Sequence, residues 1–146
     1  MLYETGLILR RLALPGLALV LGTCLSSSMS LLEDHTCGRF WGLAGGNDPD
    51  GRAVLDVCRD GERLWGLMRV EGRAGVSVSE VVGTVDPRGR IRLVDIDAVV
   101  DAPRAGWRFC FDDVFDLEWD PITRQVSGHY TSELCDDAGF LRLRAR

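Results

Sequence analysis

The residues best suited to acid–base chemistry lie near the end of the chain, where Asp116 and His129 flank a predicted β-turn. If the two strands pair around that turn, the Asp116 carboxylate faces the His129 imidazole and could orient it as a general base. Ser127 and Thr131 are the only potential nucleophiles beside the pair. Cross-strand pairs of histidine and aspartate are also ordinary surface features, so a hydrolase is the alternative interpretation and a noncatalytic protein the preferred one.

A stripe of acidic residues on one predicted strand indicates a second kind of chemistry, calcium binding. Its members are Asp112, Asp116, Glu118 and Asp120. Successive residues on one face of a strand are about 7 Å apart, too far for one ion to contact them all. The turn Asn47-Asp48-Pro49-Asp50-Gly51 is a second calcium candidate, but its composition is equally that of an ordinary loop. We therefore predict a solvated acidic face, no metal site and no cofactor.

Five cysteines offer a third chemistry, disulfide formation. A first hairpin turning at residues 47–48 and a later one turning at residues 122–123 would each bring two cysteines directly opposite each other. The predicted pairs are Cys37 with Cys58 and Cys110 with Cys135. Directly opposed residues have Cβ atoms about 4.5–5.5 Å apart, near the spacing that a disulfide needs. The alternative, four buried free thiols, is disfavoured if the chain is exported to an oxidising compartment.

The first 23 residues are typical of an export signal. Arg10 and Arg11 precede an apolar stretch over residues 12–21, and small residues follow it. About ten apolar residues are too few to span a bilayer as a helix, and Pro15 weakens the alternative of a buried core helix.

The end of this signal resembles a bacterial lipobox, the site at which a cysteine becomes lipidated. The match is Leu21-Gly22-Thr23-Cys24, in which Thr23 departs from the usual small residue. Lipidation would make Cys24 an anchor with residues 24–36 as a flexible tether. Cleavage after Ser28 would instead discard Cys24 and release a secreted protein, so both outcomes stay open. Any membrane attachment is expected through the N-terminus alone.

The formal net charge of −5 gives the chain no electrostatic footprint for a phosphate backbone, so we predict no nucleic-acid partner. Residues 37–146 are enough for one domain with a core of its own. Short alternating apolar runs are separated there by turn dipeptides every ten residues or so, a spacing typical of all-β domains.

Eight strands are predicted, at about 38–44, 52–58, 62–70, 76–85, 90–99, 106–119, 124–135 and 140–145. Every connection is short enough for a hairpin, which favours an antiparallel up-and-down meander closed into a small β-barrel. A two-sheet sandwich is the alternative. The alternation breaks in the fifth strand, where Ile91 and Leu93 have one parity and Val94 and Ile96 the other, so we expect a β-bulge or bend there.

Aromatic residues indicate both a core and a binding surface. Trp107 and Trp119 are predicted to lie in the core. Asp113, between them, interrupts the apolar face, either as a solvated bend, which we favour, or as a polar group pointing into a cavity. Trp41 and Trp65 have the opposite parity to the core residues of their strands. If exposed, they mark a binding surface.

That outer surface would include Leu67 and Arg69. The opening Cys37-Gly38-Arg39-Phe40-Trp41-Gly42 resembles the Gly-x-Trp opening of avidin-like and lipocalin-like barrels. The resemblance implies a similar strand order and carries no ligand or site residue with it.

These patterns predict an exported or lipid-anchored protein of the cell envelope, periplasmic, outer-membrane or secreted. We expect a noncatalytic barrel that binds a small apolar or carbohydrate ligand, or an envelope protein. The alternatives are the hydrolase and a purely structural lipoprotein.

Overall fold

The computed structural model describes residues 36–46 and 51–146, which form a closed eight-stranded antiparallel barrel. The strands are β1 (Cys37–Gly45), β2 (Gly51–Asp60), β3 (Arg63–Gly72), β4 (Gly75–Val85), β5 (Arg90–Pro103), β6 (Val114–Asp120), β7 (Gln125–Ser132) and β8 (Asp137–Ala145). Each strand pairs with the next, and β8 pairs with β1. The meander and the barrel are therefore confirmed, and the sandwich is wrong. The export segment 1–23, Cys24, the tether up to residue 35 and the loop at 47–50 lie outside the described residues.

The two ends of the barrel differ. One end carries short turns at residues 61–62, 86–89 and 121–124, and we call it the closed end. Gly61 and Gly89 have positive φ there, a conformation that favours glycine. The other end, the open end, carries the longer β5–β6 connection over residues 104–113.

The core fills the middle of the barrel and its closed end. Inward positions alternate with outward ones along the strands except in the second half of β5, whose residues are exposed. The buried inward side chains are Phe40, Ala44, Ala53, Leu55, Val57, Leu64, Met68, Val81, Val85, Ile91, Leu93, Phe115, Leu117, Val126, Leu141 and Leu143. Trp119 packs on this core as predicted, edge-on against Phe40 with ring centroids 6.0 Å apart.

Some inward positions have no room for a side chain because the neighbouring strand passes too close. A Cβ on Gly66 would lie 1.9 Å from the Asp56 carbonyl oxygen. Glycine at such points lets a strand coil tightly enough for a small barrel to close.

The predicted strand register is confirmed in both hairpins. Cys37 pairs with Cys58 across β1 and β2, and Asp116 pairs with His129 across β6 and β7. Both predicted disulfides, Cys37–Cys58 and Cys110–Cys135, are present. Two disulfides suggest an oxidising, non-cytoplasmic environment.

The expected irregularity of the fifth strand is confirmed, and it lies slightly later than the break in alternation. The register between β4 and β5 shifts twice, which leaves Ile96 and Val99 without direct partners on β4. Ile96 is exposed, so the bulge does not bring it into the core. Instead, Asp95 keeps the inward parity of Ile91 and Leu93.

The sixth strand is shorter than the sequence predicts. The expected strand 106–119 begins only at Val114, and residues 104–113 form an irregular segment that we call the strap. Gly106 has positive φ, and the Trp107 amide donates to the Arg104 carbonyl, so the chain turns there. β7 ends at Ser132 and leaves the strap no ladder partner.

Trp107, predicted in the core, lies on the strap and is 42% exposed. The prediction failed because it extended the apolar alternation of β6 backward across Asp112 and Asp113.

The described part of the chain contains no helix, and hence none that could carry it across a membrane.

Candidate functional site

A cavity of about 300 Å³ occupies the open end of the barrel. It exists because small residues hold inward positions on three strands there: Ala44 on β1, Gly51 on β2, and Ser77 and Ser79 on β4. The core residue Met68 lies deeper in the cavity wall. An eight-stranded barrel has an interior just wide enough to be filled by side chains or to hold one small ligand. Here the packing stops short of the open end.

Two carboxylates lie directly opposite each other in this cavity. The ladder between β5 and β6 ends with Val94 opposite Val114. Beyond it, the Asp95 amide donates a hydrogen bond to the Asp113 carbonyl oxygen at 3.0 Å. Both side chains line the cavity. Cβ atoms of directly opposed residues are about 4.5–5.5 Å apart, and like charges in such positions repel.

Asp95 is held by defined hydrogen bonds. The buried Ser79 hydroxyl donates to its carboxylate at 2.7 Å, and the backbone of Asp113 donates a second hydrogen bond. Burial nevertheless dominates and raises the pKa of Asp95 to about 6, with a contribution from the charge of Asp112. Asp95 is therefore mostly ionised at neutral pH.

Asp113 is the more perturbed of the two acids. Burial raises the pKa of its carboxyl group to about 8, and the charges of Asp95, Asp112 and Asp137 add to this effect. The group is therefore mostly protonated at neutral pH. The solvated bend that the sequence favoured is wrong for Asp113, because the irregular strap turns the residue into the cavity.

Two further aspartates lie near Asp95 and Asp113 and make hydrogen bonds within the fold. Asp112 accepts hydrogen bonds from the Ser132 hydroxyl at 2.5 Å and from the Leu134 amide at 2.8 Å. Burial alone would raise the pKa of Asp112, but the hydrogen bonds outweigh it and the pKa is lowered. Asp137 accepts a hydrogen bond from the Tyr130 hydroxyl at 3.2 Å. Asp112 thereby fixes the strap to the β7–β8 turn.

The strap supplies an aromatic wall to the cavity. Trp107, Phe109 and Phe111 line it from the strap, and Tyr130 lines it from β7. The Cys110–Cys135 disulfide ties the centre of this aromatic run to the β7–β8 turn. Arg108, the only basic residue among the described residues that line the cavity, is exposed.

The aromatic and basic residues predicted to form a binding surface lie elsewhere, on the outer face of the barrel. Trp41 is 55% exposed and Trp65 is 46% exposed. Leu67 is also exposed, and Arg69 pairs with Glu71 at 3.0 Å. The sequence left open whether Trp41 and Trp65 are exposed. They do not contribute to the cavity, whereas Asp113, predicted alongside them, does.

The predicted acid–base pair is also on the outer face. Asp116 and His129 are opposite each other, but the Asp116 carboxylate bonds Arg92 at 3.0 Å. Glu118 is exposed, and Asp120 caps the β6–β7 turn through Ile122 and Thr123. The acidic stripe does not converge, and no group of three metal-ligating side chains occurs in residues 36–46 and 51–146.

Three of the residues that line the cavity, Asp95, Phe109 and Phe111, were not among the predicted site residues. The sequence does contain a signal for Asp95. The residue lies where the alternation of β5 breaks, and it has the same parity as the buried Leu93, which indicates an inward side chain. Phe109 and Phe111 were assigned to a core strand, and only their place on the strap puts them in the cavity wall.

Comparisons with known proteins add no information to the fold or to this geometry. No family model, no curated protein and no solved structure matches the chain.

Proposed function

We propose that the protein is an exported, noncatalytic barrel that binds a small ligand in the cavity at its open end. The observation that carries this proposal is the cavity itself: about 300 Å³ lined by aromatic rings and by two opposed carboxylates, Asp95 and Asp113. Ligand sites in proteins typically combine apolar walls with a few converging polar groups, and this volume is at the lower end of their range. The ligand is therefore small.

Export and anchoring belong to the same proposal. The two disulfides suit an oxidising compartment, and the signal-like residues 1–23 supply a route to it. Lipidation at Cys24 would attach the barrel to a membrane surface. Metabolic labelling with a fatty-acid analogue in a bacterial host tests this step: wild type should be labelled and the C24S variant should not. Equal labelling of both would contradict anchoring at Cys24.

Ligand binding is tested with a fragment library that contains cationic, neutral and anionic members, screened by ligand-observed NMR. The matched control is S77F, which places a bulky side chain in the cavity on an inward position of β4. Hits should bind wild type and lose binding to S77F, while the two proteins unfold at similar temperatures. An empty screen, or hits that bind both proteins equally, would instead favour a purely structural protein or a binding surface elsewhere.

A second candidate is favoured by the same two acids. Opposed carboxyl groups with pKa values of about 6 and about 8 have the arrangement of a general base and a general acid. The alternative hydrolase would then use Asp95 and Asp113 in the cavity as its catalytic groups, and not His129. Turnover of chromogenic glycosides or esters by wild type and not by D113N would support it. Absence of turnover across the panel would leave the binding function.

A further inference from the structure

The acids of the cavity lack a counter-charge. Neither Asp95 nor Asp113 makes an ion pair in the part of the chain that the structure describes. The Ser79 hydroxyl and the Asp113 backbone donate hydrogen bonds to the Asp95 carboxylate, but both donors are neutral. Asp112 and Asp137 add further negative charge nearby. Carboxylates in such surroundings are stabilised most by a cation that enters the cavity.

The aromatic part of the cavity lining suits the same kind of ligand. Trp107, Phe109, Phe111 and Tyr130 line the cavity together with the two acids. The faces of aromatic rings carry negative electrostatic potential and attract organic cations. The rings also cover the apolar part of a ligand. Acids and rings thus both favour a positive charge attached to an apolar body.

We propose that the ligand is an organic cation: a small amine whose ammonium group lies between Asp95 and Asp113 and whose apolar body lies against the strap. This proposal rests on the proposed function, because it names the ligand class of the same cavity. A neutral ligand such as a sugar would exchange hydrogen bonds with the two carboxyl groups but bring no charge to balance the ionised Asp95. An anion would add to the negative charge of the site.

Binding of a cation is coupled to release of a proton. Asp113 holds a proton at neutral pH in the free protein, and the ammonium group requires it to be ionised. Affinity should therefore rise with pH, by up to about tenfold per unit between about 6 and about 8, and level off above that. The other charged or titratable groups around the acids are Asp112 and Arg108 of the strap, Tyr130 of β7 and Asp137 of β8.

Two probes of similar shape separate charge from apolar burial. Phenethylamine stays protonated over the pH range used, and 2-phenylethanol is its neutral counterpart. Isothermal titration calorimetry at about pH 8, with the full exported chain, should give an affinity at least about tenfold higher for the amine. Repeating the titration in buffers of different ionisation enthalpy at neutral pH should show release of a proton on amine binding.

Variants test whether the preference for the amine over the alcohol arises in the cavity. D113N removes one acid and should weaken amine binding at least about tenfold with little effect on the alcohol. D116N, on the outer face, is the matched control and should bind the amine as wild type does. If D113N and D116N behave alike, or if the alcohol binds as tightly as the amine, the cation proposal is wrong.

The fragment screen separates this failure from failure of the proposed function. Cavity-dependent hits that are neutral or anionic would overturn the cation proposal and leave ligand binding intact. A screen without any hit lost in S77F would overturn both.

Discussion

The Asp95 amide donates a hydrogen bond to the Asp113 carbonyl oxygen at 3.0 Å, and both side chains line the same cavity inside the barrel. The backbone contact continues the β5–β6 ladder by one pair beyond Val94 and Val114. It therefore fixes two acids, 18 residues apart in the sequence, in a cavity with no basic partner for either among the described residues. Burying two acids without a counter-charge destabilises a fold, so this arrangement is more readily explained by a ligand than by stability.

The protonation of Asp113 makes the stability of the protein depend on pH. Its pKa is about 8 in the folded protein and near 4 in an unfolded chain. Between these values the folded state holds more protons, so the free energy of unfolding should fall as pH rises, by up to about 1.4 kcal/mol per unit. D113N should remove much of this slope and be more stable than wild type at about pH 8. Urea unfolding at several pH values measures it.

The control for this experiment is D116N, which should keep the wild-type slope because Asp116 is on the outer face beside Arg92. Asp95 adds a smaller slope between about pH 4 and about pH 6, and it should remain in D113N. A wild-type stability that rises steadily toward pH 8 would contradict a protonated Asp113.

The Ser79 hydroxyl lowers the pKa of Asp95 by donating to its ionised form. In S79A the carboxylate loses this donor while it stays buried, so its pKa should rise above about 6. A ¹³C carboxyl NMR titration reads this directly. S77A, two residues away on the same face of β4, should leave the midpoint of Asp95 unchanged. A midpoint that falls in S79A would show that the hydrogen bond does not act on the ionised form.

The two disulfides should differ in their effect on binding. Each closes a loop of similar length, with separations of 21 and 25 residues, so replacing either pair by serine should cost about 3 kcal/mol of stability. Of the two disulfides, only Cys110–Cys135 holds the strap against the cavity. Its removal should weaken ligand binding, while removal of Cys37–Cys58 should leave affinity unchanged under conditions where both variants are folded. Chemical unfolding and calorimetry on the two double variants test this, and equal losses of affinity would contradict the role of the strap.

Tryptophan substitutions distinguish the cavity from the outer surface. W107A removes one ring of the aromatic wall and should weaken binding of an aromatic amine by about tenfold, as expected for loss of a ring contact to a cation. W65A, on the outer face, should bind it as wild type does. The opposite result would place the binding surface around Trp65, Leu67 and Arg69, where the sequence predicted it.

Most of the barrel could be predicted because its signals are local. Turn residues mark the hairpins, and a turn at residues 47–48 sets the register of β1 with β2, which places Cys37 opposite Cys58. The Cys110–Cys135 disulfide was predicted correctly, although the prediction extended β6 back to Cys110 and β6 begins only at Val114. Cys110 reaches Cys135 from the strap, because Asp112 binds Ser132 and Leu134 and holds the segment close.

The candidate site could be predicted only in part, because it depends on where regular pairing stops. The apolar alternation of Trp107, Phe109 and Phe111 is the same in a core strand and in a strap that covers a cavity. Asp113 was recognised as unusual, but its neighbour Asp95 comes from another strand, and only the β5–β6 register brings the two together. The parity of Trp41 and Trp65 left open whether they are exposed; both are, which alone does not give them a function.

The central claim is that the Asp95–Asp113 cavity binds an organic cation. Its most direct test is a crystal structure of the protein in complex with phenethylamine at about pH 8. The account predicts the ammonium nitrogen within hydrogen-bonding distance of both carboxylates, with the phenyl ring against Trp107 and Phe109. A cavity that holds only water while the amine is bound elsewhere, or an ammonium group directed away from both acids, would contradict it.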